Sequence, residues 1–266
     1  MALRHNNTFQ KIYSKEIFQP IHGWPTKIRD LILLLRLFLR EKINLLKYGE
    51  AYPQIFDTIS VDPSDTEKFS GRKIPPDIDR YEDLGKVKSG NWDKIKPEEL
   101  AAEIKSKDDF RYNYLFAQKF TETEVFKSIR DHFKKDVDWK ETSYYKMCKK
   151  ASKPKYDNLK KLKETDELYD NIRTEGFKRK LEIDNYTRIK RCLDDVMIDI
   201  DRNGSILFVN GRHRLSIAKI LDLEEIPVRV VCRHNKWQEK RVQAVRNPDK
   251  LSNEELNHPD IRNLIK

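Results

Sequence analysis

The feature that most constrains the fold is a run of strand, tight turn, strand and helix in residues 196–221. Residues 196–201 alternate apolar and polar side chains as a strand does, and residues 205–209 return as a second strand. Between them, Asn203-Gly204 favours the positive φ angles of a tight hairpin turn. A helix is predicted at 215–221 and a third strand at 226–231. The run therefore predicts a small sheet with a helix packed against it.

Residues Asn210, Gly211, Arg212, His213 and Arg214 join the second strand to this helix. A glycine lets the backbone approach a ligand closely, and the first turn of a helix presents unpaired N–H groups and the positive end of its dipole. Arginine and histidine side chains add further donors for phosphate oxygens. The junction therefore predicts a phosphate-binding site. The alternative is a structural turn whose basic residues pair with nearby acids.

A second group of polar and aromatic residues follows the third strand. Arg233 and His234 are predicted to complete a phosphate or substrate pocket, and Trp237 to stack on a base. The alternative is a capping segment in which Trp237 fills the edge of the core. The sequence leaves these two interpretations equally open.

Residues 206–219 and 226–230 resemble the ParB/sulfiredoxin superfamily. Residues 172–177 are similar to the helix before the central strand of that family, and residues 61–63 to its first strand. The resemblance implies an α+β fold, a small mixed sheet with helices that binds a nucleoside triphosphate. ATP or CTP, or else ADP, with Mg²⁺ is the implied ligand. Members of the family act as nucleotide switches, phosphotransferases or nucleases.

One departure narrows the activity that the resemblance implies. Sulfiredoxin carries its reactive cysteine at the position of Arg212, so sulfiredoxin chemistry is not expected, and the Gly-x-His-Arg form is closer to kinase-like members. A phosphotransferase or NTPase would use His213 and a carboxylate as general base. The candidate carboxylates are Asp62, Glu175 and Asp199. No metal site made by protein side chains alone is predicted.

The net charge of +10 is concentrated in two blocks. Residues 1–49 hold nine Lys/Arg against three Asp/Glu, and residues 140–163 hold nine Lys against two acids. Lysines interleaved with tyrosines suit nucleic-acid phosphates and stacked bases, so the second block predicts contact with DNA or RNA. The alternative is an exposed helical connection. The residues proposed for this contact are Lys149, Lys150, Lys153, Lys155, Trp92 and Trp237.

An amphipathic helix is predicted at 26–48, between Thr26 as N-cap and Gly49 as stop. Its apolar run is too short to span a membrane. Arg29, Arg36, Arg40 and Lys47 form a basic stripe, and the apolar residues Leu31, Leu34, Leu35, Phe38, Leu45 and Leu46 lie away from it. The helix either packs on the body or lies on an anionic membrane surface. The expected location is the cytoplasm, with peripheral membrane attachment as the alternative.

The chain is expected to contain three parts: a basic helical extension at 1–50, an α/β domain at 51–241 and a C-terminal tail at 242–266. Helical spacing at 98–106, 122–133 and 159–175 predicts a helical insertion in that domain at about 97–165. Cys148, Cys192 and Cys232 are too few and too scattered for a disulfide framework. They are expected to be ordinary thiols.

Overall fold

We describe the chain from a computed structural model, which covers residues 24–72, 81–95, 119–151, 158–183 and 193–265. Within these ranges the chain forms eight helices and a mixed sheet of six strands. The predicted α+β class is therefore confirmed. The predicted helix at 98–106 and the thiol of Cys192 lie outside the described residues.

The sheet has the strand order β1-β6-β4-β5-β2, and β3 also pairs with β6. Its strands are β1 Ile59–Val61, β2 Lys68–Phe69, β3 Lys86–Lys88, β4 Val196–Ile200, β5 Ile206–Asn210 and β6 Ile226–His234. β4 is parallel to β6 and antiparallel to β5. β1 pairs antiparallel with the beginning of β6, and β3 pairs parallel with its end. β5 therefore ends at the same end of the sheet at which β4 and β6 begin.

Helices precede, follow and separate these strands. They are α1 Trp24–Tyr48, α2 Glu124–Lys135, α3 Ser143–Ala151, α4 Asn158–Glu175, α5 Arg212–Ile220, α6 Asn235–Arg246, α7 Asn253–Asn257 and α8 Pro259–Arg262. The helices predicted at 122–133 and 159–175 correspond to α2 and α4. The N-cap of α2 is Thr123, whose Oγ1 accepts from the Phe126 N–H at 3.3 Å.

The predicted hairpin between β4 and β5 forms, but of the Asn203-Gly204 pair only Gly204 has a positive φ. Its strands pair antiparallel, and Gly204 in the turn has φ +100°. A side chain at Gly204 would collide with a buried tryptophan, because a Cβ there would lie 2.6 Å from the Trp237 ring. After α5 the chain turns at Asp222, whose φ of +53° is the left-handed conformation that aspartate tolerates.

Side chains of the central strands alternate between two cores, because successive residues of a strand point to opposite faces of the sheet. Val196, Ile198 and Ile200 belong to a core shared with α2–α5. Met197 and Val209 belong to a second core shared with α1. Helices therefore cover both faces of the sheet, and the sheet is the middle of three layers.

The N-terminal helix α1 contributes to the second core, so this helix packs on the body of the protein. It begins at Trp24, two residues before the predicted N-cap, and ends before Gly49. Leu33, Leu34 and Leu37 of α1 are buried. The predicted apolar side is wrong in part: three of its members are exposed, Leu31, Leu35 and Leu46. Of the helices in the described ranges, none has an apolar stretch long enough to cross a membrane.

The predicted C-terminal tail also packs onto the body. Residues 242–246 complete α6, and α7 and α8 follow it. Asp260 and Ile261 in α8 are 2% and 0% exposed. The last helix is therefore part of the folded body.

Candidate functional site

The β5–α5 junction (residues 210–214) closes tightly on the start of β4. Gly211 is the N-cap of α5 and has φ +94°. A Cβ on Gly211 would lie only 2.9 Å from the Val196 Cα and 3.4 Å from the Asp195 carbonyl oxygen. Glycine is therefore needed here both for its backbone conformation and for the close approach of two chain segments.

Arg212 and His213 occupy the first turn of α5 and are half-buried. Both contact Tyr144 of α3: the Arg212 guanidinium lies 5.5 Å from the centre of the tyrosine ring, and the His213 ring meets it edge-on at 6.1 Å. Tyr144 itself is buried. The two basic side chains are thus held beside the N–H groups of the first helical turn, where the helix dipole also favours an anion.

Arg214 points into the protein. It is 5% exposed, donates from Nη2 to the Lys178 carbonyl oxygen and lies over the Phe177 ring at 4.2 Å. Its Nη1 is 3.5 Å from an oxygen of the buried Asp195 carboxylate. Arg214 therefore ties the start of α5 to the segment that follows α4 and to the residue that precedes β4.

Asp195 is surrounded by an excess of positive charge. Arg229 donates to its Oδ2 at 2.7 Å, and the Lys180 N–H donates to its Oδ1 at 2.7 Å. Burial acts to raise the pKa of Asp195, but Arg229, the Lys180 N–H and Arg214 outweigh it and lower the pKa below its ordinary value. The carboxylate therefore stays ionised.

Arg179 adds a third guanidinium to this group. It is half-buried and donates to the Phe56 carbonyl oxygen at 3.0 Å. Burial and the like charge of Arg229 lower the pKa of Arg179, while Asp195 and Asp57 act to raise it. We call Arg179, Asp195, Arg214 and Arg229 the Asp195 cluster. Arg214 and Arg229 contact the Asp195 carboxylate directly, whereas Arg179 interacts with it through charge, as it does with Asp57 and Glu182.

Asp194 supplies a carboxylate at the same place. Its Oδ1 accepts from the Asn210 Nδ2 at 2.9 Å and from the Tyr81 hydroxyl at 3.0 Å. Asp194 is half-buried, unlike its neighbour Asp195. Since Asn210 is the last residue of β5, this carboxylate lies directly beside the β5–α5 junction.

The three carboxylates predicted as catalytic have other partners. Asp62 accepts from the Ser64 N–H at 2.7 Å and caps a short helical turn. Glu175 lies exposed at the end of α4 and pairs with Lys178 at 2.5 Å. Asp199 is fully buried and forms a two-point ion pair with Arg72, at 2.6 and 2.9 Å. The contacts of Asp62 and Asp199 are structural, and Glu175 pairs on the surface.

Arg233 and His234, which were expected to complete a phosphate or substrate pocket, are instead buried among protein partners. Arg233 forms a two-point ion pair with Asp260, at 2.9 and 2.6 Å. The Nε2 of His234 is 2.9 Å from the Gly90 carbonyl oxygen, and its Nδ1 accepts from the Lys236 N–H at 3.1 Å. His234 is thus the N-cap of α6.

Trp237 occupies the core, as the alternative interpretation held, and cannot stack on a base. It is 1% exposed and donates from Nε1 to Asp260 at 3.0 Å. Trp92 is half-buried in a short helical turn, with its ring centre 5.9 Å from that of His234. Of the two tryptophans, only Trp92 keeps part of its surface for contact with another molecule.

The second basic block begins beside the candidate site, although the sequence placed the two apart. The block includes α3, and Tyr144 in α3 contacts Arg212 and His213. Lys149 is exposed on this helix. The side chain of Lys150, and all of Lys153 and Lys155, lie outside the described residues.

The thiol of Cys232 is buried beside Asp199. Burial, with the charge of Asp199, raises the pKa of Cys232 to about 12, so its thiol stays protonated at neutral pH. No group of three His, Cys, Asp or Glu side chains within the described ranges could hold a metal ion. A divalent cation here would need ligand phosphates beside a carboxylate such as Asp194.

No protein-family model, curated protein or solved structure matches this chain. The chemical properties of the site therefore follow from its own residues. The junction and the Asp195 cluster together offer helix N–H groups, basic side chains and one neighbouring carboxylate. This is a set suited to an anion with several oxygens.

Sequence reasoning missed five residues of this site: Tyr81, Tyr144, Arg179, Asp194 and Asp195. One signal was available for the two aspartates, since they directly precede β4. In an antiparallel hairpin the start of the first strand lies beside the end of the second, so Asp194 and Asp195 had to lie near the junction. The two tyrosines and Arg179 carry no such local signal.

Proposed function

We propose that the protein binds the phosphates of a nucleoside triphosphate at the β5–α5 junction. The observation that carries this proposal is the concentration of basic side chains at the start of α5. Arg212 and His213 lie on its first turn, and Arg214 follows them into the protein, toward Asp195. A polyphosphate would accept from these side chains and from the N–H groups of the first helical turn.

In this proposal Arg212 and His213 hold the outer phosphate oxygens, because they are half-buried and lie on the first turn. Arg214 and Arg229 are buried, so they would act on the phosphates through their charge and not by direct contact. Arg179 is the member of the Asp195 cluster that is only half-buried, so it can reach toward the ligand. The family resemblance supports the same ligand class, ATP or CTP, or else ADP. The proposed location of the protein is the cytoplasm.

Asp194 is the carboxylate that we assign to phosphoryl transfer or NTP hydrolysis. It would bind Mg²⁺ together with the phosphates or accept the proton of the attacking hydroxyl. Bound Mg²⁺ would supply neutralisation of charge on the transferring phosphate. Asn210 and Tyr81 position this carboxylate by donating to its Oδ1.

Thermal unfolding with ATP, CTP and ADP, each with and without Mg²⁺, tests the binding proposal. A ligand at a hundred times its Kd stabilises the folded state by about 2.7 kcal/mol. The double variant Arg212→Gln/His213→Gln should lose that stabilisation, whereas the matched control Arg246→Gln, an exposed arginine at the end of α6, should keep it. Stabilisation of wild type by none of the nucleotides would contradict the proposal.

Turnover is tested separately from binding. Product nucleotide is measured for wild type, Asp194→Asn and the control Asp249→Asn, which alters an exposed carboxylate. We expect Asp194→Asn to bind nucleotide and to form product at least about a hundredfold more slowly. Equal rates in all three proteins would remove Asp194 from the chemistry and leave a binding function.

Nucleic acid is the second candidate ligand, favoured by the position of α3. Exposed Lys146 and Lys149 lie on the helix whose Tyr144 contacts Arg212, so this helix carries part of the second basic block and borders the junction. A DNA- or RNA-binding protein, or a nuclease of the ParB-like class, would use such a surface. Its binding would weaken steeply with salt, and a flat salt dependence would exclude it.

A further inference from the structure

Helix α1 has two apolar sides, of which the sheet covers one. The inner side is formed by Leu33, Leu34 and Leu37, which are at most 6% exposed. The outer side is a continuous row along the helix: Ile28 49%, Leu31 44%, Ile32 42%, Leu35 53%, Leu39 57%, Ile43 62% and Leu46 88% exposed. We call these seven residues the outer row. Among the described residues, one other large apolar side chain is exposed, that of Ile265.

The outer row faces directly away from the sheet. At ~100° per residue, its members fall within roughly 120° of the helix circumference, centred opposite the buried side. The helix has 25 residues, so the row extends along roughly 35 Å. Monomeric proteins rarely expose an apolar strip of this extent unless it meets a partner or a membrane.

Charges on α1 are sorted between the same two sides. Its acids, Asp30 and Glu41, are 5% and 8% exposed and face inward. Glu41 accepts there from the Ile55 N–H at 3.3 Å. The exposed charges among residues 28–48 are all cationic: Arg29, Arg36, Lys42 and Lys47. Arg29, Arg36 and Lys47 form a row along one flank of the apolar strip, and Lys42 lies within it.

We propose that the outer row of α1 binds the surface of a lipid bilayer that contains anionic lipids. The row would enter the boundary between headgroups and acyl chains, and Arg29, Lys42 and Lys47 would meet lipid phosphates. Charge complementarity selects this partner: the exposed charges of the helix are all positive. Residues 1–23, just before it, add three Lys/Arg against one Glu in the sequence.

A second copy of the chain fits the row less well. Pairing two outer rows would bring cations from both helices to one seam, with no exposed acid on α1 to balance them. The nearest acid, Glu82, already pairs with Arg36 at 3.0 Å. A lipid surface instead supplies the opposite charge on every side of the apolar strip.

The proposed attachment leaves the β5–α5 junction accessible. α1 covers one face of the sheet, whereas α5 and α2–α4 cover the other. A bilayer bound at the outer row would therefore lie on the far side of the sheet from α5.

Flotation with vesicles tests this inference on the full chain. Vesicles of phosphatidylcholine alone are compared with vesicles of phosphatidylcholine mixed with phosphatidylglycerol. We expect wild type to float with the anionic vesicles, and the triple variant Leu35→Asn/Leu39→Asn/Leu46→Asn to bind roughly a hundredfold more weakly. Ile265→Asn, an exposed isoleucine outside α1, is the matched control and should float like wild type.

A charge variant tests the electrostatic part. Lys42→Glu/Lys47→Glu should weaken binding to anionic vesicles at least about tenfold, whereas Lys146→Glu/Lys149→Glu, an exposed pair on α3, should not. Circular dichroism checks that each variant is folded. Should the triple variant unfold, the single change Leu46→Asn, at the most exposed position, is the reserve and should weaken binding several-fold.

Three results would overturn the proposal. The first is a wild type that does not float with anionic vesicles, and the second is flotation that the triple or reserve variant leaves unchanged. The third is a wild-type dimer in sedimentation that the triple variant converts to monomer, with no flotation of either, which would assign the outer row to a second copy. Nucleotide binding by the α1 variants is a separate measurement and should remain unchanged.

Discussion

Two clusters in this molecule each combine a buried aspartate with buried arginines, but they differ in how far they are enclosed by the protein. In the Asp195 cluster and in the Asp260 cluster, which we define as Arg233, Trp237, Arg241 and Asp260, an aspartate accepts from two or more buried donors. Asp260 is enclosed by three side-chain donors: Arg233, Arg241 at 2.9 Å and the Trp237 indole N–H. The side chains of its ion pairs are 1–3% exposed.

The Asp195 cluster, in contrast, opens onto the junction. Arg179 is half-buried, and Arg212 and His213 beside it are half-buried as well. The difference teaches that buried arginine–aspartate pairing does not by itself indicate a role. A closed cluster can only stabilise the fold, whereas a cluster that opens toward the surface could also be reached by the anionic ligand that we propose.

Removing the acid from the closed cluster should have the largest effect on stability. Asp260→Asn leaves Arg233 and Arg241 buried without a countercharge and should lower the free energy of unfolding by roughly 3–5 kcal/mol. Urea unfolding measures this change. Asp249→Asn, on the surface, should stay within about 0.5 kcal/mol of wild type. A loss of under about 1 kcal/mol in Asp260→Asn would show that the cluster is not closed.

Acid sharpens the same measurement. Burial acts to raise the pKa of Asp260, but Arg233 and Arg241 outweigh it and lower the pKa to about 2. A carboxyl whose folded pKa lies below its unfolded value stabilises the fold at higher pH, and this contribution is lost as the pH falls through the folded pKa. The difference between wild type and Asp260→Asn should therefore be constant above about pH 5 and shrink toward pH 2.

Asp195→Asn should cost less once an anion is present. The substitution leaves Arg214 and Arg229 without this carboxylate and should lower the free energy of unfolding by roughly 2–4 kcal/mol. Millimolar ATP or pyrophosphate should restore part of that loss, because the open cluster admits an anion. Asp260→Asn, measured under the same conditions, should gain less. Equal restoration in both variants would contradict the distinction between the clusters.

Gly211→Ala tests the close approach at the junction against a matched glycine. Gly90 has the same φ of +94° but no atom within 4 Å of an added Cβ, whereas Gly211 faces the Val196 Cα at 2.9 Å. Gly90→Ala should cost about 1 kcal/mol of backbone strain. Gly211→Ala should cost roughly 1–2 kcal/mol more and weaken nucleotide binding. Equal losses in thermal unfolding would mean that the contact with β4 is easily relieved.

Arg212→Gln should have the smallest effect on stability and a clear effect on binding. Arg212 is half-buried, so the free energy of unfolding should change by less than about 0.5 kcal/mol. Loss of one charged donor to phosphate should weaken nucleotide binding about tenfold. Calorimetric titration with the Arg246→Gln control measures the change. Unaltered affinity would move the phosphates away from the first turn of α5.

The elements that could be predicted from sequence are those set by neighbours along the chain. The hairpin at Asn203-Gly204, the helix after Gly211 and the turn at Asp222 each depend on a few consecutive residues. The role of a side chain could not be predicted where its partner lies far away in the sequence. Arg233 and Trp237 bind Asp260, more than twenty positions later, and no local pattern connects them to it.

Tyr144 shows the same limit for the candidate site. It is separated from Arg212 by most of α3, all of α4 and the hairpin, so no local pattern connects the two. The second basic block and the junction are also far apart in the sequence, so the distribution of charge along the chain did not indicate that they are neighbours. Helical spacing predicted α1 well, but it could not tell that the helix has two apolar sides.

The position of β6 has a consequence for how the chain is completed during synthesis. β1 near the N-terminus pairs with β6 through Ile59 and Val228, and β3 pairs with the end of β6. Neither strand can gain this partner until β6 has left the ribosome. Pairings this far apart in sequence also slow folding. β1 and β3 therefore stay unpaired until β6 is synthesised. A chain that lacked β6 would leave their edges and the neighbouring apolar surface exposed to chaperones or proteases.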